Sequence, residues 1–118
     1  MAMDIQFFRS YCLAKPGATE DTPFDEDTLC FRVGGKIFAI IDIEKFESVN
    51  LKCLPELAEE IRAENPTVTP GYHMNKKHWN TVPFDGSVKD PDILAWVDHS
   101  YSLVFDSLPK KVQASLLP

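Results

Sequence analysis

The run TLCFRVGGKIFAIIDI, residues 28–43, leaves this chain few folds to choose from. Leu29, Phe31 and Val33 alternate with Cys30 and Arg32, the period of a strand with one buried face. Gly34 and Gly35 follow, then the apolar stretch Ile37 to Ile41. A two-residue primed turn needs positive φ, which glycine adopts without steric cost, so the run predicts a β-hairpin. The segment SVNLKC, residues 48–53, repeats the alternation through Val49, Leu51 and Cys53 and extends the hairpin into a meander.

Helical signals flank the meander. Asp4 is placed to cap a helix reaching about Lys15, with Ile5, Phe8 and Cys12 on one face and Tyr11 beside them, and KPG stops it. The acidic stretch ATEDTPFDEDT, residues 18–28, reads as a solvated connection with room for a short edge strand. A second helix fits Leu54 to Glu64, with Pro55 in its first turn and Leu57, Ala58 and Ile61 as its apolar stripe. TVTPG is a loop by composition, and HWNTVPFD, residues 78–85, is a short strand. Asp90 and Pro91 open a last helix, as cap and first-turn residue, with Ile93, Val97, Tyr101, Val104 and Leu108 in register, closed by Pro109. The order is helix, antiparallel β-meander, helix, strand, helix. That order predicts an α+β fold with the helices packed on one face of the sheet. A chain of 118 residues fits a single domain, with residues 110–118 as a C-terminal extension.

Several chemistries find no footing. Three cysteines, Cys12, Cys30 and Cys53, are odd in number, widely spaced and set in apolar patterns, so they read as buried thiols. His73 and His78 are five apart, neither a zincin nor a finger spacing, and His99 lies on the last helix. No metal and no cofactor is expected. The acidic run Glu20, Asp21, Asp25, Glu26, Asp27 lacks the glycine and terminal glutamate of a calcium loop. Neither a nucleophile elbow nor a phosphate-binding glycine motif is present, and RVGGK matches no phosphate-loop pattern, so the chain is expected not to be an enzyme. The N-terminus lacks a secretory pattern, and no stretch is long and apolar enough to span a bilayer. A cytoplasmic monomer without membrane contact is the expectation.

Binding has more to work with. Arg32 and Lys36 flank the Gly34–Gly35 turn, and Lys76 and Lys77 sit beside His78 in GYHMNKKHWN, residues 71–80. Those five residues could meet a few DNA phosphates. Eighteen acidic against twelve basic residues give a net charge of -6, so such binding is expected to be weak and salt-sensitive. Trp79 is expected to pack into the core rather than stack on a base. A second reading makes Tyr72, His73, Asn75 and His78 the surface for a protein or small ligand.

Four runs carry a resemblance: YCLAKPGATEDTPF at 11–24, KIFAII at 36–41, YHMNKKHWNTV at 72–82 and S-Y-x-L-V at 100–104. Together and in this order they resemble the MmcQ/YjbR family over nearly the whole chain. The resemblance implies an α+β sandwich of the CyaY-like (frataxin-like) type. Members of the family are described as DNA-binding through two wings. Here the wings would be the hairpin at Arg32 to Lys36 and the loop at Met74 to His78. Frataxins bind iron on an acidic ridge of the first helix; here that helix carries only Asp4, so iron is not implied.

Overall fold

The computed structural model describes residues 3–71 and 75–117. Along the chain come α1 (Ile5–Leu13), β1 (Ala18–Asp21), β2 (Thr28–Val33), β3 (Lys36–Asp42), β4 (Ser48–Lys52), α2 (Pro55–Glu64), β5 (Thr69–Pro70), β6 (Trp79–Pro83), α3 (Asp90–Asp106) and α4 (Lys110–Leu116). The β2–β3 hairpin turns at Gly34 and Gly35, whose φ values of 58° and 82° are the left-handed ones such a turn requires. All pairings are antiparallel, in the order β1-β2-β3-β4-β6-β5. The expected α+β arrangement is therefore present. Two short edge strands complete it: β1 falls in the acidic stretch and β5 in the segment read as a loop.

One irregularity sets the faces of the sheet. Phe31 pairs with Ala39 but Arg32 pairs with Ile37, so Phe38 is an extra residue in β3. A bulge of this kind turns two successive side chains to the same side. Phe38 and Ala39 are both fully buried in the core beneath the helices. Ile37 and Ile40, on either side of them, face outward with their partners Arg32, Cys30 and Asn50. Strand β3 is thus apolar on both faces, although the described helices cover only one.

Phe8 and Cys12 of α1, Ala58 and Ile61 of α2, and Ile93, Val97 and Val104 of α3 meet Phe31, Phe38, Val49, Leu51 and Val82 of the sheet. Helix boundaries follow local chemistry. The Asp4 carboxylate accepts the Phe7 N–H at 2.8 Å and caps α1, which ends at Leu13, two residues short of the expected Lys15. Lys89 is the cap of α3, and Asp90 sits inside its first turn, where its charge suits the helix dipole.

Residues 110–116 form α4; Leu108, just before it, packs on the hairpin tip, and Leu116, at its end, packs on Gly17 before β1. A Cβ on Gly34 would stand 2.6 Å from Leu108, and one on Gly17 would stand 2.7 Å from Leu116. Both glycines also hold positive φ, so the close approach and the backbone conformation call for the same residue. Val112 and Leu116 are half-buried against the core. Gly34→Ala is expected to destabilise the protein by about 1–3 kcal/mol, from strain and overpacking together. Gly35→Ala meets open space and is expected to lose only the strain component, on the order of 1 kcal/mol. Urea denaturation of the two variants side by side checks the difference.

Candidate functional site

The meander fixes which loops share an end of the sheet. The Gly34–Gly35 turn, the end of β4 at Lys52 and the start of β6 at Trp79 lie together. The Cys53 N–H donates to the His78 carbonyl at 2.7 Å and ties the loop before β6 to that end. Both sequence-predicted cationic segments therefore stand on one end, about 10 Å apart across two strand spacings.

Their side chains differ in freedom. Arg32 is held by Asp21, with Nε to Oδ1 at 2.9 Å, and also donates to the Gly35 carbonyl at 2.9 Å. It braces the hairpin against β1. Lys36 pairs with Val33 on the helix-covered side and reaches Ser107 Oγ at 3.4 Å. Arg32 and Lys36 thus point to opposite faces of the hairpin, and Leu108 buttresses the tip. Lys76 and Lys77 are exposed. The Asn75 side chain accepts the Lys77 N–H at 3.0 Å and its carbonyl accepts the His78 N–H at 3.0 Å, so the two lysines ride on an Asx-type turn. His78 is half-buried. Tyr72, His73 and Met74 lie outside the described residues. Trp79 is buried, but the pairing of Lys52 with Trp79 and Leu51 with Asn80 puts it on the outer face, packed at Gly71 rather than under the helices.

Sequence reasoning missed two further groups. Lys110 and Lys111 open α4 next to the hairpin tip, and Lys52 ends β4 there. The opposite end collects carboxylates. Asp27 accepts the Ile43 N–H and Glu47 the Phe84 N–H through their carbonyls, joining three loops that carry Asp25, Glu26, Asp27, Asp42, Glu44, Glu47 and Asp85. The net charge of -6 is therefore not spread evenly: one end of the sheet is cationic and the other strongly anionic.

The titratable groups inside the fold are held in unreactive forms. Burial pushes the Cys12 thiol up to about 12 and the Cys53 thiol up to about 11, and raises Cys30 as well. These are the opposite of activated nucleophiles. Burial lowers His99, whose Nε2 faces the Leu54 N–H at 3.4 Å, the arrangement of a neutral imidazole acceptor. Among the described residues no set of three His, Cys, Asp or Glu side chains could hold a metal ion. No helix among them is long and apolar enough to cross a membrane.

A polar cluster joins α1 to α3. The Tyr11 hydroxyl donates to Asp98 Oδ1 at 2.7 Å, and Lys15 pairs with the same oxygen. The Lys15 ammonium lies 5.0 Å from the Tyr11 ring centre and 5.4 Å from that of Tyr101, a cation between two aromatic faces. Burial first, and the Asp98 contact second, push the Tyr11 phenol up to about 12. Tyr11, Cys12 and Cys53 all hold their protons more tightly in the folded state than their ordinary values of 10.0 and 9.0 allow. Above those values the unfolded chain binds fewer protons than the native one, so stability falls with rising pH. Thermal melts should be flat between about pH 7 and pH 8.5 and decline steadily from about pH 9 to pH 12. Tyr11→Phe should make that decline shallower above about pH 10, with Cys12 still contributing, and a melting temperature unchanged to pH 11 would contradict the assignment.

Against known proteins, the YjbR family model matches residues 13–103. The chain is 38% identical over 116 residues to the uncharacterized protein YjbR of Escherichia coli K12, covering 98% of each. It is 33% identical over 97 residues to the uncharacterized protein YbdF of Escherichia coli O157:H7, covering 81% of this chain and 80% of that one. The crystal structure of Deinococcus radiodurans protein DR2400, with a DUF419 domain, superposes with a TM-score of 0.91 at 37% identity, over 99% of this chain and 91% of that one. A Pseudomonas syringae protein superposes with a TM-score of 0.72 at 30% identity, over 86% and 99%. Sequence, chain coverage and fold agree, and the chain belongs to the YjbR family.

Proposed function

We propose that the chain is a non-enzymatic, cytoplasmic binding domain that makes weak, salt-sensitive contacts to the DNA backbone through the cationic end of its sheet. The observation that carries this reading is the segregation of charge along the strands. Lys36, Lys52, Lys76, Lys77, Lys110 and Lys111 gather at the hairpin-tip end, against Glu56 at the start of α2 and Asp106 at the end of α3. A polyanion approaching that end meets a local field opposite in sign to the net charge. Lys76 and Lys77 are the leading contacts, Lys36 is secondary, and Arg32 acts mainly by holding the tip in shape.

Fluorescence anisotropy with a short duplex and a matched single strand at low salt tests this. Lys76→Ala/Lys77→Ala should weaken binding several-fold and reduce the slope of log K against log salt by about 2. Lys45→Ala/Lys89→Ala removes the same charge away from the tip and should change little. No binding at tens of micromolar, or equal losses in both variants, sinks the reading.

A further inference from the structure

The outer face of the sheet breaks the usual rule for an antiparallel sheet covered on one side. Such a face should alternate to polar residues. Here Ile37 and Ile40 point outward from the central strand, and the bulge at Phe38 is what puts them both there. Beside them stands Phe24, a large apolar side chain left 68% exposed. Together they line a groove of about 610 Å³, with Thr28, Ser48 and Asn50 as its polar neighbours. Apolar side chains gathered in a groove with a polar edge mark a place where another surface sits.

Charge indicates what kind of surface. Asp25, Asp42 and Glu47 border the groove against a single cation, Lys45. Glu26 and Asp27 follow on the adjoining loop, while Asp21, outward on β1, is paired with Arg32. The carboxylates bordering the groove disfavour a polyanion there and favour a cationic partner. We propose that it docks a cationic amphipathic segment of a partner protein. The segment lies extended, with apolar side chains on Ile37, Ile40 and Phe24 and lysines or arginines against Asp25, Asp42 and Glu47. The proposal is independent of the DNA reading, because the two use opposite charges and different residues.

A short end-blocked peptide alternating leucine and lysine serves as the probe, titrated into the full chain and followed by backbone amide shifts. Shifts should concentrate on β3 and on the loop around Phe24. Asp42→Asn/Glu47→Lys should weaken binding about tenfold, the asparagine retaining the side-chain acceptor that receives the Lys45 N–H. Ile40→Ser should weaken it by a similar factor, since the apolar contact is at the centre. Glu59→Lys/Glu60→Gln on the exposed side of α2 changes net charge by the same amount and should weaken binding less than about twofold. Equal losses from the two charge variants would mean that only overall charge is read, and the proposal falls. It also falls if sedimentation shows the protein alone self-associating through Ile40, because the occupant is then a second copy.

Discussion

Truncating Phe8 to alanine should lower the free energy of unfolding by about 3–5 kcal/mol, among the largest losses expected from a single side chain here. Phe8 is fully buried on the inner face of α1. Its ring meets Phe31 at 5.8 Å, Phe46 at 6.2 Å and Phe84 at 5.5 Å between centroids, each at a steep interplanar angle. Phe46 and Phe84 stack on one another at 4.3 Å. Phe46 is the one non-glycine residue with positive φ among those described, at 44°. Phe8 packs against this stacked pair, so its removal empties a cavity beside a turn whose backbone is strained. Most domains of this size hold only about 5–15 kcal/mol, so the variant should unfold at much lower urea. Phe7, next in sequence and 50% exposed, is the comparison: Phe7→Ala should change stability by about 0.5 kcal/mol or less. Similar losses at the two positions would show that α1 is not seated as described.

Ser100→Ala should cost about 2–4 kcal/mol while deleting one oxygen atom. Ser100 lies on the buried side of α3 with no exposure at all. Its hydroxyl donates to the Phe38 carbonyl at 2.5 Å and accepts the Lys52 N–H at 2.9 Å. Both backbone groups lie where the sheet ladder fails, one at the bulge in β3 and the other at the end of β4. Without the hydroxyl they have no replacement partner, and an unmade buried hydrogen bond costs more than a made one contributes. Amide exchange separates this from a packing effect: the Lys52 N–H should lose protection ahead of its neighbours. Ser102→Ala, on the exposed side of the same helix, should be silent.

Local signals carried most of the fold. Gly34–Gly35, the alternations in β2 and β4, and the stripes of α1, α2 and α3 each declare themselves within a few residues, because period and turn chemistry are local properties. The bulge was not legible, since an extra residue in β3 appears only when Arg32 is matched to Ile37. The role of the runs that carry the family resemblance was not legible either. Tyr11, Lys15 and Ser100 stand in those runs, and in the fold they are fastenings. Tyr11 and Lys15 meet Asp98 across 87 and 83 residues, and Ser100 meets Phe38 across 62. Charge gave the same lesson in reverse. A net value of -6 speaks against DNA only if the charge is uniform, and its separation along the strands depends on which loops the meander brings to each end.

The bulge at Phe38 also bears on how the chain reaches this state. In most strands a slip of one residue exchanges a buried apolar face for a polar one, and the penalty fixes the register. Strand β3 has less of that protection between Ile37 and Ile41, because apolar side chains stand on both of its faces there. The Gly34–Gly35 turn sets the register at Val33 and Lys36, and the bulge resets it beyond Phe31. Ser100 marks the bulge from outside the sheet, donating to the Phe38 carbonyl from a helix synthesised long after the strand. Chains that end before Asp90 are therefore expected to hold β3 in a less uniform register than the full chain, a difference that amide exchange of the two forms would read.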